Sequence, residues 1–338
     1  MSAASETRTS VALATFNGAR YLREQVLSIL GQTVTVDELI VSDDGSRDGS
    51  VRIVRDAVDE HGPGAPRLVV LDDAPAGGVT ANFERAIAAT TGDVVLLSDQ
   101  DDRWHPDRVA ASLAAFASRA DLLLVHADAV LVDESGRTPL GGLLDALEVG
   151  PEVRERIHDG DAFDVLMQRN VATGATIAFR RPLFELARPF PASWLHDEWL
   201  AIVAASANRM DLIDRPVIDY RQHAGNVVGA HRLGLAQKAD RLREPRAERN
   251  ARLLARAEAL SERITGWDTD PVRIEAARAK LAHERARSGL PATRVLRLGP
   301  ALGEWSTGRY RRFGRGAADL VRDLVQPAGG RSAEGRLT

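Results

Sequence analysis

Cysteine is missing from all 338 residues. That excludes disulfides, thiolate metal sites and a cysteine nucleophile, so any bound metal has to be held by oxygen or imidazole. No apolar run approaches the roughly 18 residues that would span a bilayer, and the start "MSAASETRTSVALATFN" has neither the basic opening nor the continuous apolar stretch of a secretion signal. A cytoplasmic protein is therefore expected. There is no internal repeat. Aromatic residues make up only 5% of the chain, and its basic part carries no aromatic reading surface, which argues against a nucleic-acid partner. A glycine-rich phosphate loop with a basic residue is also wanting near the first apolar stretch, where "LATFNGAR" is a poor version of one.

The mild net charge of −4 conceals an asymmetry. Residues 1–230 hold 21 Lys and Arg against 35 Asp and Glu, whereas residues 231–338 hold 23 against 13. The composition turns at the same place. The first part alternates β-rich runs with helical periodicity; the second is rich in Ala, Arg and Leu and reads as helical. The expected division is a domain over 8–232, a helical region over 233–325 and a disordered tail over 326–338.

Within the first part, Val11 to Leu13, "ELIVS", "RLVVL" and "DVVLLS" read as strands. Between them lie helical patterns carrying Leu22, Val26 and Ile29, then Val51, Val54 and Val58 behind a cap at Ser50, then Phe83 and Ile87. Strand alternating with helix four times points to a three-layer α/β fold with a mainly parallel sheet. Ligands in such folds bind beyond the carboxyl ends of the strands. Two acidic groups stand at those ends: Asp43-Asp44-Gly45 after the second strand, and Asp99, Asp101 and Asp102 in "LLSDQDDRWHPDRV" after the fourth.

Carboxylates crowded at a strand end repel one another unless a cation joins them. Mg²⁺ or Mn²⁺ commonly takes one or two protein carboxylates and completes its shell with substrate phosphate oxygens. The competing reading of Asp99 to Asp102 is an acidic loop before a helix that starts near Pro106. The "SDDGSRDGS" segment could accept from a nucleobase N–H or a ribose hydroxyl, yet Asp-Gly-Ser is also ordinary turn chemistry. Asp197 and Glu198 fall in the first turn of a helix expected to be capped by Ser193, where they would complement the helix dipole.

Taken together, "VALATFNGARYLREQVLSILGQT", "ELIVSDDGSRDGS", "NFERAIAATTGDVVLLSDQDDRWHPDRV", "NVATGATIAFRR", "HDEWLAIVAA" and "DYRQHAGNVVGA" resemble the family 2 glycosyltransferases of the GT-A fold. The likeness runs from about residue 10 to 232 and is nearest to bacterial rhamnosyltransferase-like members that build surface polysaccharides. The resemblance implies roles residue by residue. Asp44 would contact the base of the donor nucleotide, with Asp43 beside it and Thr15 and Asn17 lining the same pocket. Asp99 and Asp101 would hold a divalent ion (Mg²⁺ or Mn²⁺) on the donor diphosphate, with Asp102 adjacent and His223 against the metal or the diphosphate. Asp197 would be the general base, with Glu198 as the substitute, and a base opposite the leaving group implies inversion. Gly174 and Trp199 would lie along the acceptor, and Arg221 and Gln222 would touch phosphate or acceptor.

The implied partners are a nucleotide-diphospho-sugar, foremost dTDP-β-L-rhamnose, and a glycan or polyprenyl-linked acceptor. Two other classes stay open: a sugar nucleotidyltransferase, and a non-catalytic nucleotide-sugar binding protein, which would not need Asp197. Near the end, Tyr310, Phe313, Ala317, Leu320 and Leu324 line up beside Arg309, Arg311, Arg312 and Arg315. Such a basic amphipathic helix, from about Gly308 to Leu324, either lies on the inner face of the cell membrane or packs against the catalytic domain or a second copy in a homodimer.

Overall fold

The computed structural model describes residues 7–223 and 245–328. The chain falls into two compact units, one formed by 1–163 with 171–231 and the other by 164–170 with 232–338. The short segment 164–170, expected within the first domain, belongs to the second unit. The boundary expected at 232 and most of the tail expected over 326–338 lie outside the described residues.

The first unit is built on one nine-stranded sheet with the order β3-β2-β1-β4-β8-β6-β9-β5, with β7 beside β6. Its first half is the parallel set read from sequence: β1 (Thr9–Thr15), β2 (Glu38–Asp43), β3 (Arg67–Leu71) and β4 (Val94–Ser98). Helices α1 (Ala19–Leu30), α2 (Ser50–His61) and α3 (Val79–Ala89) connect them. Every residue of β1, β2 and β4 is buried, which is why these strands read as continuous apolar runs rather than alternating ones. Alternation still sorts their side chains. Val11, Leu13, Leu39, Val41, Val94 and Leu96 share one core with Leu22, Val26 and Ile29 of α1 and Val54 and Val58 of α2, while α3 packs on β1 and β2. Ser50 does not cap α2 as expected. Gly49 occupies the cap position, and the Ser50 hydroxyl donates to Asp48 while accepting the Gly18 N–H.

The second half is mixed. After the two-residue β5 (Arg103–Trp104) and α4 (Arg108–Ser118), the long β6 (Leu124–Val132) runs parallel to β9 (Met210–Arg221). The short β7 (Pro139–Gly142) and β8 (Ala178–Arg180) are antiparallel to β6, and β8 is antiparallel to β4 as well. Between them lie α5 (Leu143–Ala146), α6 (Pro151–Arg156), α7 (Ala162–Gln168), α8 (Pro182–Ala187) and, before β9, α9 (His196–Ser206). The residue at the cap position of α9 is Leu195 and no side chain caps it, so the cap expected from Ser193 is not made.

In the second unit the stripe Ala257, Leu260 and Ile264 is buried along the helix Arg246–Arg263 and the turn after it. Helix Pro271–Ser288 follows, capped by the Asp270 side chain on the Val272 N–H. The single amphipathic helix expected over 308–324 is two helices, Arg309–Phe313 and Ala317–Val325, with Gly316 at φ +60° between them. Tyr310 and Phe313 are buried, Tyr310 against His283 and a hydrogen bond to Asp323, whereas Ala317, Leu320 and Leu324 are exposed or half-buried, so the expected apolar face is split between core and surface. Among the described residues no helix is long and apolar enough to cross a membrane.

Candidate active site

The register of the sheet brings three strand ends together, since Thr15 pairs with Asp43 and Leu13 with Ser98. Beyond them, the loop after β1 is fastened on two sides. Gln100 accepts from the Thr15 hydroxyl and the Phe16 N–H, both at 2.8 Å, and donates back to the Phe16 carbonyl. Asn17, in a left-handed conformation at φ +49°, donates its N–H to Ser46 and accepts the Arg47 N–H at 3.0 Å. Asn is one of the few side chains that tolerates that backbone region. Gln100 is a site residue that the sequence reading missed; its signal was its place inside the "DQDD" run.

Asp43 is buried and spends its carboxylate on the turn it begins, accepting the N–H groups of Gly45 and Ser46 and the Ser46 hydroxyl. This is the ordinary turn chemistry of an Asp-Gly-Ser segment. Asp44 is held differently. One oxygen accepts from Ala76 and Gly77 N–H and the other from Gly78 N–H, all between 2.5 and 2.8 Å. Burial alone would raise its pKa, but these three donors outweigh it and keep the carboxyl below its ordinary value. Gly77 and Gly78 both sit at positive φ, which only glycine takes freely, so the loop can turn its N–H groups on Asp44.

The acidic loop runs from β4 to β5 and is pinned at both ends. β5 pairs with β9 through Arg103 opposite Asp219, and the Arg103 and His105 side chains both bond the Asp219 carboxylate. The three aspartates then part company. Asp99 is pushed up to about 7 by burial first, then by repulsion from Asp101 and from Asp197, with Arg108 opposing. Asp101 meets the Nε2 of His223 at 2.7 Å, a residue delivered by the end of β9 and stacked on Tyr21 at 5.0 Å. Asp102 points away into the protein: it is 2% exposed, accepts the Arg221 N–H at 3.0 Å, and is pushed well up by burial and by Asp101 and Asp99.

Arg108, fully buried on the first residue of α4, lies over the Trp104 ring at 3.7 Å and donates to the Leu97 carbonyl. It is the counter-charge behind Asp99 and Asp102. Arg221 is also buried, but its charge is paired elsewhere. Expected to touch phosphate or acceptor, it is instead 3% exposed, and its guanidinium bonds the carbonyls of Asp101 and Glu134 and the Glu24 carboxylate. Gln222 is likewise buried.

Asp197 occupies the first turn of α9 with Glu198. Its two oxygens accept the N–H groups of Gly174 at 2.9 Å and of Glu198 at 2.8 Å, which orients the carboxylate. Gly174 opens the turn Gly174–Thr176 before β8. A side chain there would stand 3.0 Å from His196 Nε2 and 3.4 Å from an Asp197 oxygen, so the close approach that this glycine permits is that of α9. His196, unremarked in the sequence, is buried and stacked on Phe83 at 3.8 Å. Trp199 is not on an acceptor wall. It is fully buried against Trp194, with its indole N–H on the Ala187 carbonyl, because α9 is buried nearly all round and its third turn-face has no open side.

The arrangement therefore gathers Asp99, Asp101, Asp197 and His223 and leaves Asp102, Arg221 and Trp199 to structural duties. Among the described residues no set of three or more His, Asp or Glu is arranged as a metal cage. The donors present, two carboxylates and an imidazole in a crowded acidic pocket, are nevertheless of the type a hard divalent ion takes when phosphate supplies the remaining ligands.

Residues 10–185 match the family described as Glycosyl transferase family 2. An uncharacterized glycosyltransferase, alr2836, of Nostoc sp. is 27% identical over 226 residues, 65% of this chain and 66% of that protein. The dTDP-rhamnosyl transferase RfbG of Shigella flexneri is 26% identical over 225 residues, 65% of this chain and 74% of its own. The chain thus spans just under two thirds of the Nostoc relative. Among solved structures, S. aureus TarS 1-349 in complex with UDP-GlcNAc superposes with a TM-score of 0.54 at 14% identity, covering 94% of this chain and 89% of that one. The mannosyltransferase PcManGT of Pyrobaculum calidifontis, in complex with GDP-Man and Mn²⁺, gives 0.51 at 21%, covering 95% and 87%. These two likenesses establish the GT-A fold, and with the match over half its length the chain belongs to glycosyl transferase family 2, a family of glycosyltransferases.

Proposed function

We propose that this glycosyltransferase moves a sugar, L-rhamnose from dTDP-β-L-rhamnose, with inversion onto a glycan or polyprenyl-linked acceptor in bacterial surface polysaccharide synthesis. The observation that supports the reading is that Asp197, carried by the separate element α9 and oriented by the Gly174 N–H, is close enough to repel Asp99, the neighbour of Asp101, so that a base would face the place where the donor diphosphate would be neutralised. The Shigella relative, named as a dTDP-rhamnosyl transferase, supports the choice of donor.

In this reading the acceptor hydroxyl gives its proton to the Asp197 carboxylate as its oxygen attacks the anomeric carbon. The bond from that carbon to the diphosphate oxygen breaks, and its electron pair leaves with the nucleoside diphosphate. Single displacement turns a β-linked donor into an α-L-rhamnoside. Asp99 and Asp101, with His223, would hold a divalent ion, Mg²⁺ or Mn²⁺, whose chemistry is to offset charge on the departing diphosphate. The Mn²⁺ named with the Pyrobaculum mannosyltransferase supports that assignment. Asp44, with Thr15, Asn17 and Asp43 around it, would meet the nucleotide base. For that, Asp44 must share or exchange the three N–H groups it now holds. Glu198 stands next to the base as its substitute.

The test is a screen of dTDP-rhamnose, UDP-hexoses and GDP-mannose with and without Mg²⁺ or Mn²⁺, followed by NMR of the product. The reading expects metal-dependent turnover of dTDP-rhamnose to an α-linked product. A β-linked product refutes inversion. Turnover of a UDP-hexose alone keeps the enzyme class and removes rhamnose.

A further inference from the structure

Exposed apolar side chains scattered singly are ordinary on any protein surface. The second unit has something else. Within eight consecutive positions, Val295 is 74% exposed, Leu296 63%, Leu298 49% and Leu302 53%. Val295, Leu298 and Leu302 recur at spacings of three and four, so they follow one face of the turn Arg294–Arg297 and the helix Leu298–Ser306 that continues it. On the neighbouring helix Ala317–Val325, Val321 and Val325 are 49% and 46% exposed. The two elements are locked together by Arg297, whose buried guanidinium donates to the carbonyls of Asp323, Leu324 and Gln326. The segment is thus ordered by its own bonds and still leaves its large apolar side chains outside.

The charges around it are sorted by sign. From residue 290 to 328 the acidic side chains are Glu304, Asp319 and Asp323, and all three are buried. Each has an inward partner: Glu304 takes His283 and Arg309, Asp319 takes Arg322, and Asp323 takes Arg287, Arg249 and Tyr310. Arg294, Arg311, Arg312 and Arg315 are exposed over the same stretch. Arg311 lies over the Trp305 ring and Arg312 stands 3.9 Å from Asp164. Within residues 290–328 the exposed charge is therefore arginine alone, next to leucine and valine, with Asp164 opposite Arg312. A protein partner would call for mixed polar chemistry at the rim. Apolar side chains bordered by cations of one sign match a surface that is anionic outside and hydrocarbon beneath.

We infer that the surface carried by Val295, Leu296, Leu298 and Leu302 docks this protein on an anionic lipid membrane. Insertion of the four aliphatic side chains supplies the apolar part, and the arginines supply an attraction that salt screens. The surface differs from the one the sequence suggested: Tyr310 and Phe313 face inward, while Val295 to Leu302, which show no long hydrophobic run, face out. The inference deepens the proposed reading at its membrane-borne acceptor and rests on that reading only for the purpose of docking, since lipid binding can be measured without any transfer.

The experiment uses the full chain in co-sedimentation with phosphatidylcholine vesicles, with and without phosphatidylglycerol, and in light scattering. Binding to the mixed vesicles is expected, with little to phosphatidylcholine alone. It should weaken as salt rises from roughly 0.05 to 0.5 M. Leu296→Glu with Leu302→Glu should lower partition at least about tenfold, and Arg294→Glu with Arg315→Glu should remove the preference for phosphatidylglycerol. Both pairs are at exposed positions, and turnover of a soluble acceptor checks that the catalytic unit is intact. Equal binding by the Leu296→Glu, Leu302→Glu variant overturns the inference, as does equal binding to neutral vesicles. So does a chain that ignores vesicles and changes from dimer to monomer with the same substitutions, which would make the surface a contact between copies. Loss of transfer with vesicle binding unchanged would count against the proposed function and leave the docking surface standing.

Discussion

Gly174 donates its backbone N–H to Asp197 at 2.9 Å, and the missing side chain of Gly174 is what lets the two approach, because a Cβ there would come within 3.4 Å of the same carboxylate and within 3.0 Å of His196 Nε2. The turn before β8 and the first turn of α9 therefore set the Asp197 carboxylate, the proposed base, jointly. Gly174→Ala should displace His196 or Asp197 by a few tenths of an ångström. Since misplacement of a catalytic group is felt steeply in rate, kcat should fall by roughly tenfold or more with donor affinity unchanged. Steady-state kinetics with donor and acceptor varied separately would show it; an unchanged kcat would mean that the site relaxes around the added methyl.

Asp197→Asn keeps the shape and the acceptor oxygen for an N–H while removing the capacity to take a proton. It should retain donor binding and lose at least the roughly 10²-fold that general-base catalysis contributes. Calorimetric donor titration beside turnover separates the two effects. Normal turnover, or lost donor binding, would pass the role to Glu198 or beyond it.

The three aspartates after β4 should respond unequally. Asp101 meets His223 in the acidic pocket, whereas Asp102 is buried with an N–H donor that an asparagine oxygen could equally satisfy. Asp102→Asn should therefore leave transfer within a few-fold of wild type and leave thermal stability equal or higher, as one buried like charge is removed from beside Asp99 and Asp101. Asp101→Ala should abolish transfer and weaken Mg²⁺- or Mn²⁺-dependent donor binding with the fold intact by circular dichroism. Full activity in excess EDTA would sink the metal assignment itself.

That contrast marks how far the sequence was legible. The strands β1, β2 and β4 could be read because each is buried on both faces and announces itself as an apolar run, and the half-buried edge strand β3 because its "RLVVL" is one too. The acidic loop could be placed at the end of β4 for the same reason. Which aspartate faces the site could not be read, because that depends on Arg221, more than a hundred positions away, arriving on β9 to bond Asp102. Trp199 misled because a helix buried nearly all round carries no periodicity to say which side is open. In the mixed half, β5 was hidden by shortness, since its two residues are too few to show a pattern of either period. Past residue 308 the apolar spacing was real, but Gly314 to Gly316 divide it into two helices and turn Tyr310 and Phe313 inward.

His158 gives a pH dependence away from the chemistry. Its two ring nitrogens bond Asp211 at 2.7 Å and Asp214 at 2.6 Å, tying the segment Ile157–Asp161 to β9, with Arg119 and Arg154 near the same carboxylates. Burial lowers its pKa, but the bonds and charges of Asp214 and Asp211 outweigh that, and the net shift is upward. A raised folded pKa means that the stabilisation is complete below the unfolded value of about 6.5 and is lost as pH climbs through the folded one. Amide exchange over 157–161 should accelerate from pH 6 to pH 9, on the order of that window, beyond the intrinsic trend. His158→Gln should flatten the excess; an identical pH response in that variant would show that the clamp is not linked to protonation.

The second unit offers the sharpest stability test. Asp323 is fully buried and receives Arg287 at 2.6 Å, Arg249 at 3.0 Å and the Tyr310 hydroxyl at 3.0 Å. Such a group adds little when compared with a well-packed apolar replacement for the whole cluster, yet removing one member strands the others. Asp323→Ala leaves Arg287, 3% exposed, with Glu284 at 3.3 Å and the more distant Asp319 at 4.0 Å as its carboxylates and should destabilise the unit by about 3–5 kcal/mol. Tyr310→Phe removes one neutral hydrogen bond to the same carboxylate and should cost only about 1–2 kcal/mol. Native-state amide exchange over the helices Arg246–Arg263 and Pro271–Ser288, both in this unit, reads the difference without assuming that the two units melt together. Equal effects of the two substitutions would show that water reaches the cluster and that its charges are not desolvated as their burial implies.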